Sequence, residues 1–174
     1  LIRDRGFNIT CLDLSPNSLE VARHEASKQR VALQTVVGSA YQLPFDNESF
    51  DGVLLSDVLE HLHDLDTALA QVSRILKPRG VLVLDTIDRT WLSYIAMILV
   101  NEHLTGFIRP NSHDWRLFLR PTELERVCQR HGLIMGEPRV GVTPRNPFRL
   151  TSGFRAANLT ASWPVNLFTG MSYL

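Results

Sequence analysis

Apolar positions fall into short runs that alternate with amphipathic stretches. Residues 7–12 (Phe7 to Leu12) form a mostly apolar run ended by Asp13, which predicts a buried parallel strand. Ser15-Pro16-Asn17 then predicts a helix start, with Ser15 as N-cap and Pro16 at the first helical position. That helix runs to about Lys28 and turns Leu19, Ala22 and Ala26 to one side, with Val21 flanking. Residues 31–37 predict a second strand, Gly38 to Ser49 a loop holding Pro44, and residues 50–55 a third strand. A helix from about Leu65 to Leu76 presents Leu65, Ala68, Leu69, Val72 and Ile75. Lys77-Pro78-Arg79-Gly80 stops it, because proline lacks the N–H a helix needs and glycine takes the left-handed cap readily. Val81 to Thr86 predict a fourth strand.

Strands alternating with helices at this spacing predict an α/β fold, a doubly wound, mostly parallel sheet covered on both faces. After Ile87 the texture changes. Residues 91–108 are largely apolar and helix-like, Pro121 to His131 predict a helix and Leu133 to Val142 a strand. The tail from Pro144 carries a further strand-like run near Asn166 to Tyr173.

Composition narrows the class. A length of 174 residues suits one domain, here taken as 1–174. With 44% hydrophobic and 21% charged residues the chain is of ordinary globular character. Its 18 basic and 18 acidic residues cancel, which gives no electrostatic reason to expect nucleic acid. Residues 1–100 carry 9 basic and 13 acidic side chains, whereas 101–174 carry 9 basic, all arginine, and 5 acidic. Ordinary surface variation explains that asymmetry, and so does a face that meets anionic headgroups or an acidic ligand. Cys11 and Cys128 are too few for a disulfide framework and read as thiols of a reducing compartment. The apolar stretch at 91–108 is too short, and too interrupted by Asn101, Glu102 and His103, to span a bilayer. The chain opens on Leu1 with no signal or transit peptide before its first strand, and reads as incomplete at that end.

Three places invite chemistry. Asp13 ends the first strand, where an acid can accept from both hydroxyls of a ribose or simply cap the next helix. Gly38-Ser39-Ala40 and Leu43-Pro44-Phe45 form a loop where a nucleotide base can slot between apolar side chains, or an ordinary turn. Ser56-Asp57-Val58-Leu59-Glu60-His61 follows the third strand. If a helical turn begins there, Asp57, Glu60 and His61 fall at i, i+3 and i+4 on one face. They can then hold a divalent ion, supply His61 as a general base, or merely place acids at a helix start.

The ordered set Leu12-Asp13-Leu14-Ser15-Pro16, Leu43-Pro44-Phe45, Ser49-Phe50-Asp51, Leu59-Glu60-His61 and Leu76-Lys77-Pro78 resembles class I S-adenosylmethionine-dependent methyltransferases. Residues 85–94 (Asp85 to Tyr94), 106–115 (Gly106 to Trp115), then Phe118, Arg120-Pro121, Glu123-Leu124 and Arg145-Asn146-Pro147 are similar to the ubiquinone-biosynthesis O-methyltransferases. The resemblance implies the Rossmann-like sheet of that class, here lacking its first strand and glycine-rich loop.

It also implies roles. Asp13 matches the ribose ligand, and Ser56 a cofactor contact. Ser39 stands where related enzymes carry an aspartate against adenine, with Ala40 beside it. Asp57, Glu60 and His61 match a Glu-x-x-Glu-His metal site, with aspartate for the first glutamate, and imply Mg²⁺. Arg79 replaces a common glycine. The implied reaction is O-methylation of a polyprenylated catechol or hydroquinol in ubiquinone synthesis, with S-adenosylmethionine as donor. The rivals are a methyltransferase of another small molecule using His61 as base without metal, and a non-catalytic fragment or partner subunit. Residues 91–120 match an insert that faces substrate or membrane. The resemblance further implies a peripheral membrane setting and a ubiquinone-synthesis complex as partner. The expected location is the matrix side of the mitochondrial inner membrane in a eukaryote, or the cytoplasm or inner-membrane surface in a bacterium.

Overall fold

The computed structural model describes residues 6–106, 109–135, 139–140 and 171–172. The chain falls into two compact units, Leu1–Asp46 and Asn47–Leu174.

In the first unit, strand β1 (Ile9–Asp13) and strand β2 (Leu33–Val37) pair in parallel, Ile9 opposite Leu33 through Asp13 opposite Val37. Helix α1 (Pro16–Lys28) makes the crossover between them. Its start is the one the sequence predicts: the Ser15 hydroxyl accepts from the Ser18 N–H, and Pro16 occupies the first turn, where a missing N–H costs nothing. Leu19 is its buried residue. Gly38 closes the strand end, because a Cβ there would lie 3.0 Å from Leu12 Cδ1 and 3.3 Å from Pro44 Cδ.

In the second unit, strand β3 (Phe50–Leu55) pairs in parallel with strand β4 (Leu76–Leu84), and helix α2 (Leu65–Ile75) connects them. Asp64 caps α2 by accepting from the Thr67 N–H and hydroxyl. Of the predicted apolar stripe, Ala68, Leu69, Val72 and Ile75 are buried. Leu69 joins Leu59, Leu84, Leu124 and Cys128 in the core. Leu124 and Cys128 come from helix α4 (Pro121–Arg130). Burial in that apolar setting pushes the Cys128 thiol up to about 11, the character of a packing thiol.

The α/β class with parallel strands holds, and among the described residues the strands pair as small two-stranded sheets. Other expectations need correction. Lys77-Pro78-Arg79-Gly80 does not separate helix from strand. β4 starts at Leu76 and carries these residues as an irregularity opposite the Phe50/Gly52 step. The left-handed residue is Arg79, at φ 66°, not glycine. Gly80 is required for space instead, since a Cβ there would sit 2.8 Å from the Lys77 carbonyl oxygen. The apolar stretch after Ile87 is one α-turn, α3 (Trp91–Ser93), continued as a π-helix, Tyr94–Leu104. Its i→i+5 pattern ends with the Thr105 N–H donating to the Val100 carbonyl. Phe107 and Ile108 lie outside the described residues. Leu133–Met135 are not strand; strand β5 is Arg139–Val140, antiparallel to strand β6 (Met171–Ser172). The rest of both predicted segments, and Arg145-Asn146-Pro147, lie outside the described residues.

Candidate functional site

Site residues of the first unit gather at the carboxyl ends of β1 and β2, where open parallel sheets place their ligands. Asp13 is exposed, and its Oδ1 accepts from the Ser15 N–H at 2.7 Å. Among the described residues its Oδ2 has no hydrogen-bond partner, so the aspartate both caps the turn and keeps an acceptor outward. Ser39 Oγ accepts from the Tyr41 N–H at 3.2 Å, and a Ser39–Gln42 bridge folds the loop, with Ala40 half-buried in it.

In the second unit the chain leaving β3 is held by Asp85, just past β4. Asp85 Oδ2 accepts from the Ser56 hydroxyl at 3.0 Å, and Oδ1 accepts from the Asp57 N–H at 2.7 Å. The clamp stabilises Asp57 at φ 51°, a left-handed conformation that costs a non-glycine residue about 1–2 kcal/mol. The helical turn then begins only at Leu59, as a short 3₁₀ turn, Leu59–His61.

That geometry corrects the expected shared face of Asp57, Glu60 and His61. Asp57 lies before the turn, and Glu60 is buried with its Oε2 accepting from the Thr86 hydroxyl at 3.1 Å. His61 stacks on His113, ring centroids 5.5 Å apart. Among the described residues, no three His, Cys, Asp or Glu side chains converge as a metal-holding group. The expected Mg²⁺ therefore does not fit the donor arrangement of the described residues.

Glu60 and His61 instead line an open pocket of about 600 Å³ together with Tyr94, Ile98, His113 and Trp115. Burial pushes the Glu60 carboxyl above its ordinary value, although the Thr86 hydroxyl offsets part of that. Tyr94 and Ile98 come from the π-helix, and Glu102 follows at the same four-residue spacing.

Glu102 is the residue that periodicity alone missed. It is 1% exposed, and its carboxylate accepts from three donors. Oε2 takes the Asn111 N–H at 2.7 Å, while Oε1 takes the His113 N–H at 3.0 Å and the His113 ring at Nδ1 at 2.8 Å. Burial alone would raise this carboxyl, but those hydrogen bonds outweigh it and hold the group below its ordinary value. Ionised, it only accepts, so the proton sits on His113 Nδ1. The Phe118 and His113 rings pack in a T-shaped contact with centroids 6.0 Å apart. An acid inside an otherwise apolar helical run was the available signal.

Residues 1–84 match the methyltransferase-domain family. The ubiquinone biosynthesis O-methyltransferase of Pelagibacter ubique is 26% identical over 169 residues, which is 97% of this chain and 65% of that protein. The protein of the same name from Alkalilimnicola ehrlichii is 33% identical over 132 residues, or 75% of this chain and 53% of its own length. The chain thus spans less than two thirds of these relatives. Among solved structures, a SAM-dependent methyltransferase from Methanosarcina mazei superposes with a TM-score of 0.67 at 16% identity, covering 98% of this chain and 82% of that one. One from Aquifex aeolicus gives 0.62 at 11% identity, covering 98% and 69%. Those likenesses establish the methyltransferase fold, residues 1–84 carry the match to the methyltransferase-domain family, and over most of its length the chain is similar to the ubiquinone biosynthesis O-methyltransferases.

Proposed function

We propose that the chain serves S-adenosylmethionine-dependent O-methylation of a polyprenylated catechol or hydroquinol in ubiquinone biosynthesis. The observation that carries this reading is the pocket of the second unit. Imidazoles and the buried Glu60 carboxyl meet Tyr94, Ile98 and Trp115 in one concavity of small-molecule size. A phenol ring suits the aromatic side, and its hydroxyls suit the ionisable one. The names of the relatives supply the ubiquinone context.

S-adenosylmethionine, when bound, supplies a methyl group on an electrophilic sulfonium. Within the first unit, Asp13 would take the ribose hydroxyls through its second carboxylate oxygen, and Ser39 and Ala40 would border the base. The pocket walls align the acceptor oxygen and exclude water, the main contributions a protein makes to a methyl transfer. Calorimetric titration with S-adenosylmethionine, paired with radiolabelled methyl transfer to a short-chain polyprenyl catechol, tests the reading. Both signals are expected, and Asp13→Ala should weaken cofactor binding roughly tenfold or more, the loss of a charge-assisted hydrogen bond. Absence of both signals in the wild-type chain rejects it.

The same reading places the π-helix against a lipid surface. No described helix is long and apolar enough to cross a membrane. Trp91, Ile95 and Leu99, four apart, are nevertheless exposed by 74%, 46% and 43%, and Leu104 by 79%. An apolar stripe of this kind enters the headgroup boundary, where nearby cations meet anionic lipid. Arg109 is exposed, whereas Arg116 is already paired with Asp114 at 2.7 Å, so Arg109 is the better lipid contact. Flotation with anionic liposomes should recover the wild-type chain, and Trp91→Ser/Leu99→Ser or Arg109→Glu should each reduce recovery several-fold. Recovery indifferent to lipid charge and to all of these substitutions would leave the stripe without a membrane role.

A further inference from the structure

Resting on the O-methylation reading above, we propose that His113, oriented by Glu102, is the group that takes the proton from the substrate hydroxyl. His113 lines the pocket and commits Nδ1 to the buried Glu102 carboxylate at 2.8 Å, which leaves Nε2 as its accepting atom. A base in solution meets many orientations; this one is fixed from three sides. Glu102 holds the ring at Nδ1, His61 stacks on one face, and Phe118 makes a T-shaped contact with it. Glu102 is a positioning residue, since it acts through His113. It is itself fixed by the Asn111 and His113 N–H groups, so the pair does not depend on substrate to assemble.

The step balances as follows. The substrate O–H bond breaks and its proton goes to His113 Nε2. An oxygen lone pair forms the new O–C bond to the methyl carbon, and the C–S electron pair returns to sulfur, which becomes a thioether. The imidazolium then releases its proton to water. The other charged or titratable groups lining this pocket are Glu60, His61, His63, Tyr94, Asp114 and Arg116. Glu60 is tied to Thr86 and Arg116 to Asp114. The other two imidazoles, His61 and His63, are therefore the competing bases.

The test compares His113→Gln, His61→Gln and Glu102→Gln in the full chain, with catechol as acceptor, across pH 6–10. His113→Gln should lower kcat about 10²–10⁴-fold at neutral pH while cofactor affinity stays, as loss of a general base does. That defect should shrink toward pH 10, where a phenol ionises unaided. Glu102→Gln should lower kcat roughly tenfold or more with the same pH trend, and His61→Gln should cost less than His113→Gln. Long-range ¹H–¹⁵N NMR of the histidine rings, read with catechol alone, should show His113 protonated on Nδ1 and its Nε2 shifted by the ligand. A larger loss in His61→Gln, a His113→Gln defect constant with pH, or turnover abolished by chelator and restored by Mg²⁺ would each overturn the assignment. A wild-type chain that transfers no methyl group overturns the reaction proposed above. The pair is then judged on the NMR titration, where an unmoved Nε2 overturns it as well.

Discussion

Phe118→Ala is expected to destabilise the second unit by about 3–5 kcal/mol, the range for truncating a fully buried aromatic ring. Phe118 is 0% exposed, and it follows the short 3₁₀ turn Trp115–Leu117 that carries pocket residues. The Phe118 N–H donates to the Trp115 carbonyl and the next N–H, of Leu119, donates to the Ile87 carbonyl, so the backbone here is anchored on both sides of the ring. A cavity at this point cannot be filled by sliding the segment inward. The surrounding structure will relax only partly, and the full cavity cost should appear. Because the ring also packs on His113, the same substitution should broaden the His113 ring resonances even at temperatures where the unit stays folded. Urea unfolding followed by tryptophan fluorescence measures the first effect and histidine NMR the second. A loss below 1 kcal/mol would mean that Phe118 is not the anchor its burial indicates.

How far the sequence disclosed this architecture depended on the range of the interaction involved. Helices α1 and α2 were legible because their causes are local: Ser15 and Pro16 start one, and the stripe of Ala68, Leu69, Val72 and Ile75 buries the other. Both parallel pairs followed from strands separated by helices. The bulge in β4 was not legible. Lys77-Pro78-Arg79-Gly80 carries strong stop signals, yet Leu76 already pairs with Phe50 and the chain re-enters register at Val81 after a left-handed Arg79. Tertiary pairing overrode the local punctuation.

The candidate site divides the same way. The turn at Asp13 is legible because a strand-end acid followed by Ser-Pro has a local meaning, and its bond to the Ser15 N–H is local too. Asp57, Glu60 and His61 share a face only in a helix that begins at residue 57, and the positive φ at Asp57 removes that premise. Asp85, which imposes this conformation, sits 28 residues away. Glu102 and His113 are 11 residues apart with a turn between them, so no period joins them. In the sequence, Asn101, Glu102 and His103 looked like polar interruptions of an apolar helix. In the fold the middle one is a buried charge, as little exposed as Glu60, and it holds the pocket residue His113.

Those two buried glutamates should respond to substitution with opposite signs, and pH should separate them. The Glu102 carboxyl is held below its ordinary 4.5, so it contributes stability that is present above that value and is lost as pH falls through its lower folded value. Glu102→Gln keeps the shape but replaces a charged acceptor of three donors with a neutral amide, whose own N–H groups face donors. It should cost about 1.5–3 kcal/mol at pH 7, and the deficit should narrow only below pH 4.5. Burial lifts the Glu60 carboxyl above 4.5, so its ionisation works against folding: its contribution is most favourable below 4.5 and is lost as pH rises through the folded value. Glu60→Gln retains an acceptor for the Thr86 hydroxyl and removes the buried charge. It should therefore raise stability at pH 7, with the gain vanishing toward pH 4 as the wild-type carboxyl protonates in both states. Every other titrating group is common to wild type and variant, so the difference between their unfolding free energies at each pH isolates one carboxyl. Denaturant melts from pH 7 to pH 4 measure both curves. If the two differences share a sign at pH 7, or if neither changes with pH, the two carboxyls do not hold the opposite charge environments that their hydrogen bonds imply.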